Sequence, residues 1–367
     1  MLLDFLLTDE PDTPPSEFTL VRVSRRAMAT TFEVAIPVGA HSNPVAAAED
    51  ALNLIDELED QMTVFRDHSE VSRLNATAAA GFVEIEPRLF ELFSRCAIWT
   101  RETGGAFDIA TGALTKAWGF YRRDGAVPPA SELVAAMRAT GFRHVVLDET
   151  RRAVKFRRQG LELNLGAVGK GYALDRAAEL LRSKWGVRSA LLHGGGSSVY
   201  AIGRAPGNVH GWPIRLKHPS QPGESLGTAH LRDAGLGTSA ATFQFFEYNG
   251  RKLGHLLDPR TGWPAAGTAS ASVTAPTAAE ADAMSTAAFV MGAAGAERLT
   301  RLRPALGAVV LSGQEDPSPT PPPRGEGLNP APPSFLGKGA GGLGFFSFNL
   351  DPEAYSPPVP NGPVHAD

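Results

Sequence analysis

Roughly half of the chain's 29 prolines lie beyond residue 311, some in runs such as Pro321-Pro322-Pro323 and Pro357-Pro358, beside a glycine cluster at 337–344. Proline removes backbone donors and glycine raises the entropy cost of ordering, so such a segment buries too little apolar surface to offset being fixed. The expectation is a disordered Pro/Gly-rich tail over 312–367, in which Phe345, Phe346 and Phe348 are the side chains able to dock. Residues 1–17 read as a flexible, proline-bearing N-terminal arm. Folding is thereby confined to 18–311, a length suited to one large unit or two average domains.

Within those limits the chain is 43% hydrophobic and 20% charged, enough for a sizeable core. Its one cysteine, Cys96, excludes an internal disulfide framework and any cysteine-cluster zinc or iron–sulfur site. A formal net charge of -4 gives no global case for nucleic acid. No apolar run approaches the roughly 18 residues of a membrane span. The starting stretch MLLDFLL is short for a signal-peptide core and is followed by Asp9 and Glu10, with Asp4 where a basic n-region would stand. A cytoplasmic location is the expectation.

Hydrophobic spacing then separates helices from strands. A helix is predicted over 43–62, with Leu52, Ile55, Leu58 and Met62 on one face, and others over 86–103, 169–184 and 278–292. Strands are predicted at 18–24, 31–37, 190–193, 199–202, 214–217, 228–231, 243–248, 254–257, 270–274 and 308–311. Strands in succession with helices grouped between them point to α+β: a largely antiparallel, mixed sheet with packed helices.

Four segments carry residues suited to chemistry. Gly166-Ala167-Val168-Gly169-Lys170-Gly171 stands where a strand yields to a helix, so unpaired N–H groups and Lys170 can meet an anion. It lacks the leading glycine and the Ser/Thr of a phosphate-binding P-loop, and it lacks G-x-G-x-x-G spacing; a plain glycine-rich helix start with a solvated lysine is equally compatible. His193-Gly194-Gly195-Gly196 resembles an esterase oxyanion loop, with Ser239 as nucleophile. The chain order fails, since an α/β-hydrolase needs its acid before its histidine, whereas His255 precedes Asp258. His255-Leu256-Leu257-Asp258-Pro259-Arg260-Thr261-Gly262 reads as a strand end entering a turn, where a lone histidine is commonly structural. Asp282 and Thr286, at i and i+4 on a helix, stack a carboxylate over a hydroxyl. That is a hard oxygen pair suited to Mg²⁺, or simply an acidic residue favoured near a helix N-terminus.

In order, these segments resemble the FAD:protein FMN transferase family, also called ApbE. The resemblance starts at Met28-Ala29-Thr30-Thr31-Phe32 and continues through Ser69-Glu70-Val71-Ser72-Arg73-Leu74-Asn75 and Thr103-Gly104-Gly105-Ala106-Phe107-Asp108. Leu114, Trp118-Gly119-Phe120, the Lys170 segment with Asp175, the turn at 194–196, Thr238-Ser239, the His255 segment and the Asp282–Thr286 helix complete it.

The resemblance implies transfer of FMN from FAD to a Thr or Ser of an acceptor protein, releasing AMP, on an ApbE-like fold. It implies a divalent metal, Mg²⁺ (magnesium) with Mn²⁺ as the alternative, held by Asp282, Thr286 and carbonyls of Ala167 and Ser285. It assigns Lys170 to the dinucleotide, Met28, Ala106, Phe107, Asp108 and Leu256 to the flavin or adenine pocket, and His255 to proton transfer, with Asp258 behind it. Two departures stand out: Gly196-Ser197-Ser198 where relatives often carry an acidic residue, and Ala240 where they often carry glycine after Thr-Ser. Alternatives with the same pocket are a non-catalytic FAD-binding or flavin-delivery protein and an FAD pyrophosphatase yielding FMN and AMP.

Overall fold

A computed structural model describes residues 18–122, 125–240, 245–248, 251–313, 344–350 and 353–358. The expected N-terminal arm and most of the expected tail lie outside these residues. Two strands open the fold, β1 (Leu20–Ala27) and β2 (Thr30–Pro37), joined by a two-residue turn at Met28 and Ala29. Both turn residues hold positive φ, 48° and 60°, as a type I′ hairpin requires, although neither is the usual Asn or Gly.

Next comes α1 (Pro44–Met62), with Pro44 in its first turn and Ala48, Leu52, Ile55 and Leu58 buried. A subsidiary region follows: α2 (Glu70–Thr77), β3 (Val83–Glu84), α3 (Pro87–Glu102), α4 (Gly112–Ala117), α5 (Ala130–Arg138), β4 (Val145–Asp148) and β5 (Ala153–Phe156). Its three strands pair in the order β3-β5-β4. The remaining elements are α6 (Gly169–Ser183), β6 (Ala190–Gly194), β7 (Ser198–Ile202), β8 (Trp212–Lys217), β9 (Ser225–Leu231), β10 (Ala234–Ala240), β11 (Phe245–Tyr248), β12 (Arg251–Gly254), β13 (Thr268–Ala275), α7 (Ala278–Leu302), β14 (Gly307–Ser312), β15 (Phe345–Phe348) and β16 (Tyr355–Ser356).

Eight strands make the central sheet, in the order β1-β2-β6-β7-β10-β13-β14-β15, every neighbouring pair antiparallel. Its period-2 alternation sorts side chains into two cores. Phe32, Val34, Ile36, Leu192, Val273 and Val310 join the core under the helices. Ala35, Leu191, Val199, Leu236 and Val309 face the other way, onto Trp212, Ile214 and Leu231 of the β8–β9 sheet. The result is three layers: helices, central sheet, small sheet. Among the described residues no helix is long and apolar enough to cross a membrane.

Helix α7 lies directly on α6 and β10 because glycine occupies each crossing. A Cβ on Gly171 would fall 2.2 Å from the Ala278 carbonyl oxygen, and one on Gly237 would fall 2.5 Å from the Ala281 backbone. Backbone meets backbone at both points, so nothing there yields to an added methyl.

Several expectations change. The 278–292 helix extends to Leu302 through a kink at Gly292, whose φ of 69° and ψ of -168° are not helical. The predicted 254–257 strand does not form: β12 ends at Gly254, and Leu257 makes only a single bridge to Pro264. Disorder also fails for two parts of the tail. β15 pairs along β14, from Leu311 opposite Phe345 to Ala308 opposite Phe348, and β16 pairs with β9. The Tyr355 hydroxyl donates to the Leu226 carbonyl at 2.5 Å. An open strand edge offers a row of unpaired backbone groups, and a composition averaged over many prolines hides two short aromatic strands that use it.

Gly171→Ala is expected to cost roughly 1–3 kcal/mol of stability through the forced separation of α6 and α7, read as a lower urea midpoint. Gly81→Ala, with nothing within 4 Å of the added carbon, should stay within about 0.5 kcal/mol of the parent. Equal effects from the two would refute the close-approach reading.

Candidate functional site

Seven segments converge on a cleft of about 510 Å³: the β1–β2 turn, residues 106–115, residues 164–170 at the start of α6, the β6–β7 turn, the end of β10, residues 255–259, and one face of α7. Two capping interactions set the pose of α7. Thr277 accepts from the Glu280 N–H at 3.2 Å, and the Asp175 carboxylate, projecting from α6, accepts from Ala278 N at 2.7 Å and Ala279 N at 2.9 Å. A carboxylate at a helix N-terminus satisfies orphan donors and opposes the dipole. Burial nonetheless pushes Asp175 up to about 7, with the nearby Asp282 charge adding to the rise.

One turn further along α7, Asp282 is buried. Its Oδ2 accepts from Gly171 N at 2.8 Å and from Ser198 Oγ at 3.0 Å, while Oδ1 accepts from no described residue. Burial raises its pKa to about 6, against the pull of Lys170, Ser198 and Gly171 toward the charged form. Around it lies a hydroxyl set: Ser239 Oγ is 3.0 Å from Ser285 Oγ and 3.4 Å from Thr286 Oγ1, and Ser285 donates to the Asp282 carbonyl at 3.0 Å. Among the described residues no three His, Cys, Asp or Glu side chains gather as a metal cluster. A cation here would rest on one carboxylate with hydroxyl and carbonyl oxygens, a donor set that suits Mg²⁺ or Mn²⁺ and not zinc. The half-free Asp282 carboxylate fits that demand.

On the opposite wall His255 lines the cleft, its ring edge-to-face with Phe120 at 6.5 Å. Phe120 belongs to an aromatic group in which Phe246, from the β11–β12 hairpin, lies 6.2 Å from Trp118 and 6.0 Å from Phe120. Trp118 donates its indole N–H to the Gly262 carbonyl at 2.8 Å. The hairpin and the 255–262 segment are therefore anchored to the same rings.

Ten of the twelve residues singled out from sequence line the cleft: Met28, Ala106, Asp108, Ala167, Lys170, His255, Leu256, Asp282, Ser285 and Thr286. Phe107 and Asp258 do not. Phe107 is buried in the core with its ring 6.2 Å from Trp99. Asp258 directs Oδ1 to Arg260 N at 2.9 Å and Nε at 2.8 Å, and Oδ2 to Arg260 Nη2 at 2.8 Å. It braces the turn after His255. Asp108 reaches the cleft, yet its two oxygens accept from Ala110 N and Phe142 N, so much of its carboxylate holds backbone.

Sequence reasoning gives no site role to Ser198 or Asn164, and it names Ser239 only as a rejected esterase nucleophile and as part of the Thr238-Ser239 block, not as a partner of Ser285. Ser198 stood only as a departure from a motif, with nothing to show that its hydroxyl meets Asp282. Asn164 did carry a signal: it sits two residues before Gly166 and accepts from the Gly166 N–H at 2.8 Å, an Asx turn of the kind asparagine favours.

The chain belongs to the ApbE family, whose model matches residues 28–310. A FAD:protein FMN transferase of Treponema pallidum is 33% identical over 261 residues, covering 67% of this chain and 72% of that protein. One from Klebsiella pneumoniae is 33% identical over 225 residues, covering 61% and 68%. Among solved structures, the ApbE protein of Thermotoga maritima superposes with a TM-score of 0.72 at 28% identity, covering 80% of this chain and 94% of that one. The apo flavinyl transferase ApbE of Pseudomonas stutzeri gives 0.70 at 26%, covering 83% and 94%.

The raised Asp175 carboxyl has a pH consequence. A carboxyl that titrates near 7 when folded, against an ordinary 3.8, binds its proton more tightly in the native state. Its contribution to stability is full below about pH 4 and is lost as pH rises toward 7. Asp175→Asn is neutral throughout. The stability of the parent relative to this variant should therefore fall between pH 4 and 7 in metal-free chemical denaturation; a flat difference would refute the assignment.

Proposed function

We propose that this protein transfers FMN from FAD to a Thr or Ser hydroxyl of an acceptor protein and releases AMP, with Mg²⁺ or Mn²⁺ as the metal. The observation that carries the reading is the Asp282 carboxylate. One of its oxygens is held by Gly171 and Ser198 while the other takes no partner among the described residues, next to Lys170 and the Ser239–Ser285–Thr286 hydroxyls. Family membership and two FAD:protein FMN transferases at 33% identity support the substrate class.

In the proposed reaction the acceptor hydroxyl oxygen bonds to the phosphorus on the FMN side of the pyrophosphate. The bond from that phosphorus to the bridging oxygen breaks, AMP leaves with the bridging oxygen, and a phosphoester joins FMN to the protein. A divalent cation, when bound, would supply positive charge against the pyrophosphate. Asp282 and Thr286, with the carbonyls of Ala167 and Ser285, would hold it. Lys170, in the first turn of α6, places a positive charge beside the helix N-terminus, where phosphate oxygens are favoured. His255 takes the hydroxyl proton as the nucleophile closes, steadied by Phe120 and the turn that Asp258 and Arg260 brace.

Two outcomes check this. Incubated with FAD, Mg²⁺ and a flavinylation-competent acceptor, the protein should yield AMP and a fluorescent covalent flavin band in equal amounts. AMP with only free FMN would identify a pyrophosphatase, and FAD binding without either product a flavin carrier. Asp282→Ala should lower turnover by about two orders of magnitude or more, the scale of a lost charge-stabilising group. Divalent-cation binding, followed by calorimetry, should weaken as pH falls below about 6, where the proton competes for Asp282. Affinity that stays constant from pH 7 to pH 5 would refute Asp282 as a ligand.

A further inference from the structure

A second concavity, of about 1060 Å³, lies at the other end of the strands that carry the flavin cleft. The cleft uses the β6–β7 turn and the end of β10. This one uses the approach to β6, the exit of β7 and the β9–β10 turn, roughly 15 Å away along a five-residue strand.

Four arginines line it: Arg182, Arg188, Arg204 and Arg232. Its only carboxylate, Asp233, is already committed, pairing with Arg182 and accepting from the Gly203 N–H at 2.8 Å. Arg182 is further engaged by the Tyr200 hydroxyl at 3.1 Å and lies over that ring at 5.4 Å. The other three guanidiniums are exposed and make no ion pair with any described residue.

Strand register brings these three charges together. Ala190 pairs with Ile202, so two residues outward Arg188 stands opposite Arg204. Ser189 Oγ donates to the Arg204 carbonyl at 2.7 Å, and a Cβ on Gly203 would fall 2.2 Å from the Arg188 oxygen, which places the two backbones side by side. Ala234 pairs with Ala201, which sets Arg232, in the β9–β10 turn, beside Gly203. Like charges across neighbouring strands are destabilising, and nothing described in this chain neutralises them. The whole protein is net negative, so a local row of three cations is not a by-product of a basic composition.

We propose that this concavity binds a carboxylate-rich, extended segment of a partner polypeptide. All three exposed guanidiniums line the one concavity, so an acidic chain crossing it meets more than one of them, each able to make the two-point contact that arginine's planar fork favours. A lone phosphate would satisfy one or two of them. The site is open, and Val209, 65% exposed on its rim, offers apolar contact to a chain lying across it.

The test uses the full-length protein and a fluorescein-labelled Glu-rich dodecapeptide, with binding read by anisotropy. The peptide should bind, more weakly as salt rises. Arg188→Glu/Arg232→Glu should raise its Kd by about tenfold or more. Arg157→Glu/Arg158→Glu, the same charge change at exposed residues elsewhere, should shift it by less than about twofold. Equal losses in both variants, or no binding, overturn the proposal. So does a peptide that stays inert while pyrophosphate, a DNA oligomer or phosphatidylglycerol vesicles bind with the same Arg188/Arg232 dependence. In the absence of peptide, Arg204→Gln should raise the thermal midpoint by relieving repulsion; a lowered midpoint would remove the unpaired-charge basis of the site.

Discussion

The contact between α6 and α7 organises this protein. Asp175 spends its carboxylate on the first two N–H groups of α7, and Gly171, one turn earlier on α6, admits the Ala278 carbonyl where any side chain would block it. Because the helices touch backbone to backbone, Gly171 also presents its N–H to Asp282. Lys170 and Asp282, far apart in sequence, thereby become neighbours with opposing charge. A buried carboxylate without such partners would be strongly disfavoured. The same few atoms that lock two helices also set the protonation and direction of the proposed metal ligand.

Ser198 shows how a local substitution is absorbed. Where the family resemblance leads one to expect an acidic residue near this turn, the chain offers a hydroxyl that donates to Asp282. On the α7 side of the cleft a single carboxylate, Asp282, is thus surrounded by hydroxyl groups from β10 and α7. Lower net charge at the centre means weaker attraction for a cation and weaker repulsion of a pyrophosphate.

Much of this was legible beforehand, and the exceptions have physical reasons. The 43–62 helix and the antiparallel sheet follow from apolar spacing, because one face of each meets a core. Short elements such as α4 and β3 bury too few residues to leave a periodic trace. That Arg260 claims both oxygens of Asp258 is not foreshadowed by a carboxylate three residues from a histidine. Phe107 was misplaced because a motif position does not distinguish a residue that lines a pocket from one that supports its wall. The Asp282–Thr286 pair was readable because helical geometry alone puts i and i+4 together.

The strands β15 and β16 bear on how this fold tolerates change. One extends the central sheet and the other extends the small sheet, so a short length of chain spans the outer apolar layer at two points. The ordering cost of bringing a strand back to its edge grows only with the logarithm of the intervening length. Evolution is therefore free to lengthen, shorten or rewrite the proline-rich stretch at 314–343, provided that the phenylalanines of β15 and Tyr355 keep their seats. What the fold asks of this part of the chain is two short seats, one on the β14 edge and one on the β9 edge, and not a fixed length between β14 and β15.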